Sequence, residues 1–172
     1  NDTGYTNWQG LFAQAEYNKD AISAVISIAG NNTSYKREDY FKYTPDDPLR
    51  ETDWVNFTAF STKGGLNYRL DEKHNVFANV GYFERAPFSN AVFLNNTNVT
   101  NEDAVNQKIF SAELGYGFRG DNFRADLNVY RTQWMDRTYT ISRTANNIQY
   151  TANILGIDAL HQGVELELQY RP

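Results

Sequence analysis

The two histidines are the residues best suited to acid–base or metal chemistry, but their surroundings predict neither. His74 stands in a polar turn segment and His161 in a loop segment, far apart in the sequence. The chain has no cysteine, which removes disulfides, thiolate metal ligands and cysteine nucleophiles. No serine lies in a nucleophile-elbow context, and no histidine or carboxylate cluster has metal-site spacing. We therefore expect no catalytic, cofactor-binding or metal site and no enzymatic activity.

Charge and hydropathy argue against two further classes of protein. The formal net charge is −5, whereas binding of nucleic-acid phosphates requires a basic face, so we expect no nucleic-acid partner. The longest apolar-leaning run, residues 21–29, is interrupted by Ser23 and Ser27. It is far shorter than the about 20 apolar residues of a membrane helix.

Aromatic residues in polar segments are the main candidates for ligand binding, because their rings can stack on sugars or apolar ligands. Phe41 and Trp134 belong to this group. The candidate loop contacts are Tyr40, Tyr43, Trp54, Phe88 and Phe93. Loop packing or anchoring at a membrane interface is the alternative role of these rings. Residues 95–106, rich in asparagine, are expected to form a solvated loop, with a sugar or cation contact as the alternative.

An alternation of period two dominates the chain and predicts an all-β fold. Helical spacing is absent except at residues 157–162, which favour a short helical turn. About seven strands are predicted, over residues 8–17, 21–29 with a continuation through 35–43, 55–70, 75–85, 108–118, a stretch beginning at 123, and 164–170. Gly64-Gly65 in the third strand predicts a bulge or bend.

The connections between these strands alternate in length. Short turns are predicted near Lys19, Lys73 and Asp121, and long polar segments over part of 31–53, over 86–107 and over about 138–162. In an up-and-down sheet the short turns then share one edge and the long segments share the other. Outer-membrane barrels have this layout, with short periplasmic turns and long extracellular loops.

The alternation also gives the sheet two faces of different chemistry. One face is apolar, as in Ala125, Leu127 and Val129, and aromatic residues gather where it meets the short turns. The candidate lumen-facing polar residues of the other face are Glu113, Arg124, Asp126, Asn128, Glu165 and Glu167. We predict an antiparallel up-and-down transmembrane β-barrel segment with its apolar face toward lipid. A soluble sheet that packs its apolar face on a second sheet is the alternative.

Three stretches carry a resemblance to a known family. Residues 75–88 include Arg85-Ala86-Pro87, residues 112–118 and 125–134 have the form of one hairpin, and residues 156–167 contain a Gly-Val-Glu step. These stretches resemble the barrel of TonB-dependent outer-membrane receptors of the Bacteroidetes type. The resemblance covers most of the chain, residues 1–172, but not the family's plug domain or its C-terminal strand. We therefore expect an internal segment of the barrel domain.

The resemblance implies active transport of a small nutrient, such as a siderophore, vitamin, glycan or peptide, across the bacterial outer membrane. This chain would supply barrel wall and outer loops. Its expected partners are outer-membrane lipid, the TonB complex through the missing plug and a surface lipoprotein, with no cofactor. The alternative function is that of a secreted soluble β-sheet module that binds carbohydrate.

Overall fold

Seven antiparallel strands form one sheet, in the order in which they occur along the chain. The computed structural model describes residues 2–146 and 148–172. The strands are β1 (Asp2–Lys19), β2 (Ile22–Asp39), β3 (Val55–Arg69), β4 (His74–Arg85), β5 (Gln107–Arg119), β6 (Phe123–Ala145) and β7 (Ile148–Tyr170). A short helix, α1 (Ser89–Val92), and two 3₁₀ turns, Pro48–Arg50 and Leu94–Asn96, lie in the long connections. This confirms the predicted all-β, up-and-down architecture.

The three short connections lie on one edge of the sheet, as the alternation of lengths predicts. Neighbouring hairpins hydrogen-bond to one another there. The backbone N–H of Arg69 donates to the carbonyl of Ala21, and that of Arg119 donates to the carbonyl of Lys73, both at 2.8 Å. None of the helices in the described part of the chain has the length and apolar character needed to cross a membrane.

The strands are longer than predicted toward the edge of the long connections. The predicted loop over residues 138–162 is wrong, because β6 and β7 continue as a paired hairpin through this region. The helical turn predicted at 157–162 is also wrong, since Gln162 pairs with Arg131 and Ile157 pairs with Arg137. In this part of β6, Thr138, Thr140, Ser142 and Thr144 alternate with Tyr139, Ile141 and Arg143, so polar residues prevail and the hydropathy signal of a strand is weak.

The predicted bulge at Gly64-Gly65 is absent. The register of β3 with β2 and with β4 passes through both glycines without a shift. The irregularity lies instead between β6 and β7, whose register shifts between Trp134 and Arg137, with an extra residue in β6, and again between Arg137 and Tyr139, with an extra residue in β7. Asp136 in this stretch has φ 56°, the left-handed conformation that an extra residue in one strand often requires.

The register aligns apolar side chains on one face across all seven strands. Leu114 pairs with Ala78 and Val129, and the next row joins Tyr116 to Leu127. Leu114 is 62% exposed and Leu127 is 41% exposed, because no second sheet or long helix covers this face in residues 2–146 and 148–172. The predicted segregation of apolar and polar faces is therefore present.

The small hydrophobic core lies on the opposite, polar face, near the edge of the long connections. Phe57 and Ala59 of β3 form its floor. Ala91, Val92 and Phe93, from the connection between β4 and β5, cover that floor and are almost inaccessible to solvent. A long connection thus folds back onto the sheet instead of extending into solvent.

Candidate functional site: the polar face and the outer loops

The polar face lines an open cavity of about 630 Å³ near the short turns. All seven strands contribute to its lining. Five of the six candidate lumen-facing residues line this cavity, namely Arg124, Asp126, Asn128, Glu165 and Glu167. The sheet is therefore curved with its polar face on the concave side, which brings side chains from its first and last strands to the same space.

The sixth candidate residue, Glu113, lies beside the cavity at the centre of a hydrogen-bonded group. Its carboxylate accepts a hydrogen bond from the amide of Asn79 at 2.9 Å and another from the amide of Asn128. Arg124 donates to Asp126 at 2.6 Å in a separate ion pair. The two hydrogen bonds of Glu113 join β4, β5 and β6 through side chains, in addition to the backbone hydrogen bonds between the strands.

Aromatic rings and glycines fit together on the same face. The ring of Phe77 lies over Gly115, where an added Cβ would overlap it. Tyr130 covers Gly163 in the same way, one strand pair further along. Since glycine leaves space above the backbone, each ring approaches the wall closely at these positions.

Three candidate ligand-contacting rings are exposed, and each is close to a cation. Arg50 stacks on Tyr40 at 4.5 Å, and Arg85 stacks on Phe88 at 4.6 Å. The third is Trp54, 44% exposed, with the ammonium of Lys36 5.9 Å from its ring centre. Such cation–aromatic contacts hold a ring in place and leave its other face available.

The fourth and fifth candidates differ from these three. Tyr43 is partly exposed. The prediction that Phe93 contacts a ligand from an exposed loop position is wrong, because its side chain is 4% exposed and packs in the hydrophobic core. Phe93 lies in the apolar run from Ala91 to Leu94, which is the sequence signal that could have indicated this burial.

The motif Arg85-Ala86-Pro87 marks the point where β4 ends and the chain turns onto the polar face. Arg85 is the last residue of the strand. Pro87 cannot donate to a strand ladder, and its carbonyl instead accepts a hydrogen bond from the hydroxyl of Tyr35 at 2.9 Å. The motif therefore positions the following connection and places no charged group in the cavity.

The asparagine-rich connection between β4 and β5 is folded, and the expectation of a solvated loop is wrong for its central part. Asn101 is 8% exposed, and its amide donates to the carbonyl of Ala91 at 2.9 Å. The amide of Asn98 donates to the carbonyls of Leu49 and Arg50 in the preceding long connection. Asparagine side chains here satisfy backbone carbonyls that no regular structure would otherwise pair.

The edge of short turns carries its own polar and aromatic contacts. Asp71 accepts hydrogen bonds from the backbone N–H groups of Lys73 and His74, both at 2.8 Å. The bond from Lys73 is the main reason why the pKa of Asp71 lies below its ordinary value. His74 is bonded to the hydroxyl of Tyr116 and lies 5.0 Å from the ring of Phe118.

No group of three or more potential metal ligands occurs within residues 2–146 and 148–172. Neither histidine joins such a group.

Comparison with known proteins identifies relatives of this fold. A family model described as "TonB dependent receptor-like, beta-barrel" matches residues 1–171. The structure is similar to that of the copper transporter OprC, with a TM-score of 0.76 and 18% identity over 98% of this chain and 26% of that one. It is also similar to the siderophore receptor PirA from Pseudomonas aeruginosa, with a TM-score of 0.57 and 16% identity over 95% of this chain and 37% of that one. No curated protein matches the sequence.

The chain thus spans about a quarter of the first structure and little more than a third of the second. At these identities, the likeness to the two structures concerns the fold.

Proposed function

The chain belongs to the TonB-dependent receptor β-barrel family, and from this premise we propose that it supplies barrel wall and outer loops to an active-transport receptor. The family is one of transport receptors in the bacterial outer membrane. The Bacteroidetes type of the resemblance stays a prediction.

A single observation carries the proposal. The apolar side chains of seven consecutive strands form one continuous surface, and Glu113, Arg124, Asp126, Glu165 and Glu167 lie on the other face. Among the charged residues in the rows of the apolar face, Glu84, Lys108 and Arg131 lie toward the edge of the long connections. Lipid accepts such an apolar surface, whereas a charged side chain at mid-depth on it costs about 2–4 kcal/mol. Nothing in the described part of the chain supports the alternative of a soluble carbohydrate-binding module.

We place residues 1–172 within a longer barrel domain. The outermost strands, β1 and β7, each have one neighbour in the sheet. An unpaired strand edge leaves backbone N–H and carbonyl groups unsatisfied, which the hydrocarbon region does not tolerate. Further strands on both sides would satisfy these groups, in agreement with the small share of each structural neighbour that this chain covers.

The polar face is the proposed lumen wall. Glu165 and Glu167 line the cavity beside the Arg124–Asp126 ion pair. In a complete receptor a plug would occupy this space, bonded to the wall by hydrogen bonds and charge pairs, and would connect it to the TonB complex. The proposal includes no catalytic step and no cofactor.

The outer loops are the proposed surface for the transported nutrient. Tyr40, Trp54 and Phe88 present exposed rings next to cations, which suits a ligand with both apolar and anionic parts. The names of the structural neighbours, a copper transporter and a siderophore receptor, favour a metal or a metal chelate among the candidate nutrients. A surface lipoprotein is a further proposed partner.

Uptake by the complete receptor tests the proposal. Cells that express it should accumulate radiolabelled ferric siderophore or copper, and the accumulation should stop when tonB is deleted or the proton gradient is collapsed. The protein should resist extraction from the outer membrane without detergent. A receptor that is monodisperse and cooperatively folded in plain buffer would rule out the membrane barrel.

A further inference from the structure

The connection between β4 and β5, residues 86–106, lies against the polar face of the sheet. We call these residues the ledge. Phe93 of the ledge packs on Phe57, whose side chain points to the same side as Lys63 and Asn67 by the alternation along β3. Register through β4 places Glu113 on that side as well. The ledge therefore covers the half of the polar face farther from the short turns, and the large cavity lies below it.

The ledge is attached at both sides of the curved sheet. On one side, the amide of Asn96 reaches Asp2 of β1 at 3.5 Å. On the other side, the amide of Asn153 in β7 donates to the carbonyl of Asn90 at 3.2 Å. The first and last strands of the sheet are thus joined through one connection, although they do not pair with each other.

Arg37 joins the ledge to two other elements. Its guanidinium donates to Asn96 of the ledge and to Asp2 of β1. Its backbone N–H donates to the hydroxyl of Thr52 at 2.9 Å, and its carbonyl accepts from the N–H of Thr52. Arg37 is 8% exposed. Lifting the ledge would break the charge-assisted bond from Arg37 to Asn96 and leave the guanidinium with Asp2, whose side chain is 45% exposed.

From these contacts we infer that the ledge is a fixed part of the barrel mouth, held by Arg37, and is not a lid that opens for ligand. The inference rests on the proposed function only in taking the polar face as the lumen. Ala91 and Val92 are 2% and 0% exposed beneath the ledge surface, so a lid movement would expose them to water. A fixed ledge narrows the mouth permanently and leaves ligand-dependent movement to other loops.

Thiol labelling of the complete receptor, folded in detergent, tests this inference. Residues 1–172 contain no cysteine, so in a receptor whose cysteines outside this segment are replaced by serine, Ala91→Cys places a single small thiol under the ledge. Val99→Cys, at a position 57% exposed in the same segment, is the matched control. We expect a water-soluble thiosulfonate reagent to modify the thiol at position 91 at least roughly tenfold more slowly than the thiol at 99.

Removal of the anchor should abolish this protection. In the background of Ala91→Cys, Arg37→Gln should raise the labelling rate at least roughly tenfold. Asn96→Gly, which removes the partner on the ledge and tolerates the left-handed backbone at this position (φ 57°), should act in the same direction, and Glu102→Ala at an exposed position should not. The folded, heat-modifiable gel band identifies variants that have folded.

Similar labelling rates at positions 91 and 99 in the unaltered receptor would overturn the fixed ledge. Unchanged protection in both folded anchor variants would overturn the role of Arg37. Neither result depends on transport, so both are separate from a failure of the receptor to enter the membrane.

Discussion

An arginine placed on the apolar face should destabilise the barrel far more than the same residue placed one position along the strand. Leu127 follows Phe123, the first residue of β6, by four positions. At about 3.4 Å per residue and a strand tilt of about 40°, Leu127 lies roughly 10 Å inside an apolar band that is about 25 Å tall. Leu127→Arg should therefore cost about 2–4 kcal/mol, a roughly 30- to 700-fold change in the folding equilibrium.

Asn128→Arg is the matched control, because it changes the next residue to the same side chain. The amide of Asn128 bonds to the carboxylate of Glu113, so an arginine there gains an oppositely charged neighbour on the polar face. We expect a cost below about 1 kcal/mol. Urea unfolding of the complete receptor in phospholipid vesicles, followed by the gel shift of the folded form, measures both variants. A larger cost for Asn128→Arg than for Leu127→Arg would refute the assignment of the two faces.

Two further changes test local features of the wall. Gly115→Ala should destabilise the receptor by about 1–3 kcal/mol, because the added Cβ overlaps the ring of Phe77. Gly30→Ala is the control and should leave the urea midpoint nearly unchanged, because nothing lies within 4 Å of the added atom. Equal effects of the two changes would contradict the packing of Phe77 over Gly115. The pKa of Asp71 is lowered mainly by the hydrogen bond from the backbone N–H of Lys73. Its contribution to stability should be complete above the unfolded-state value of about 3.9 and be lost as pH falls through the lower folded-state value. Unfolding followed between pH 5 and pH 2 should show a larger loss of stability in the parent than in Asp71→Ala, which keeps the contribution of Asp39, another carboxylate whose pKa is lowered.

The strand content and the two faces of the sheet follow from local pattern. In residues 123–130 and 164–170, apolar and polar side chains alternate without interruption, and the observed register of β6 with β7 keeps each set on its own side. The alternation is reliable here because a barrel wall has a different solvent on each face. The short turns near Lys19, Lys73 and Asp121 were predictable for the same reason, since polar residues interrupt the alternation there.

The extracellular half was predicted less well, because its strands leave the apolar band. Beyond Trp134 the hydropathy pattern is weaker: threonine and serine alternate with Tyr139 and Ile141 in β6, and Arg143 then interrupts the apolar row. The prediction of a loop there failed for this reason, and so did the short helix predicted at 157–162. The irregular stretch between β6 and β7 contains Gly156, with φ 67°, but this glycine did not indicate a bulge because the segment was predicted to be a loop.

Sequence by itself determined which side chains lie on each face of the wall, because a period of two is a property of neighbouring residues. Only the tertiary structure decided that Phe93 is buried and that Arg37 joins Asp2 to Asn96. These contacts link residues that are distant along the chain, and they form because the curvature of the sheet brings the connection after β4 over its concave side. Curvature depends on the packing of many strands at once, and no local pattern of residues encodes it.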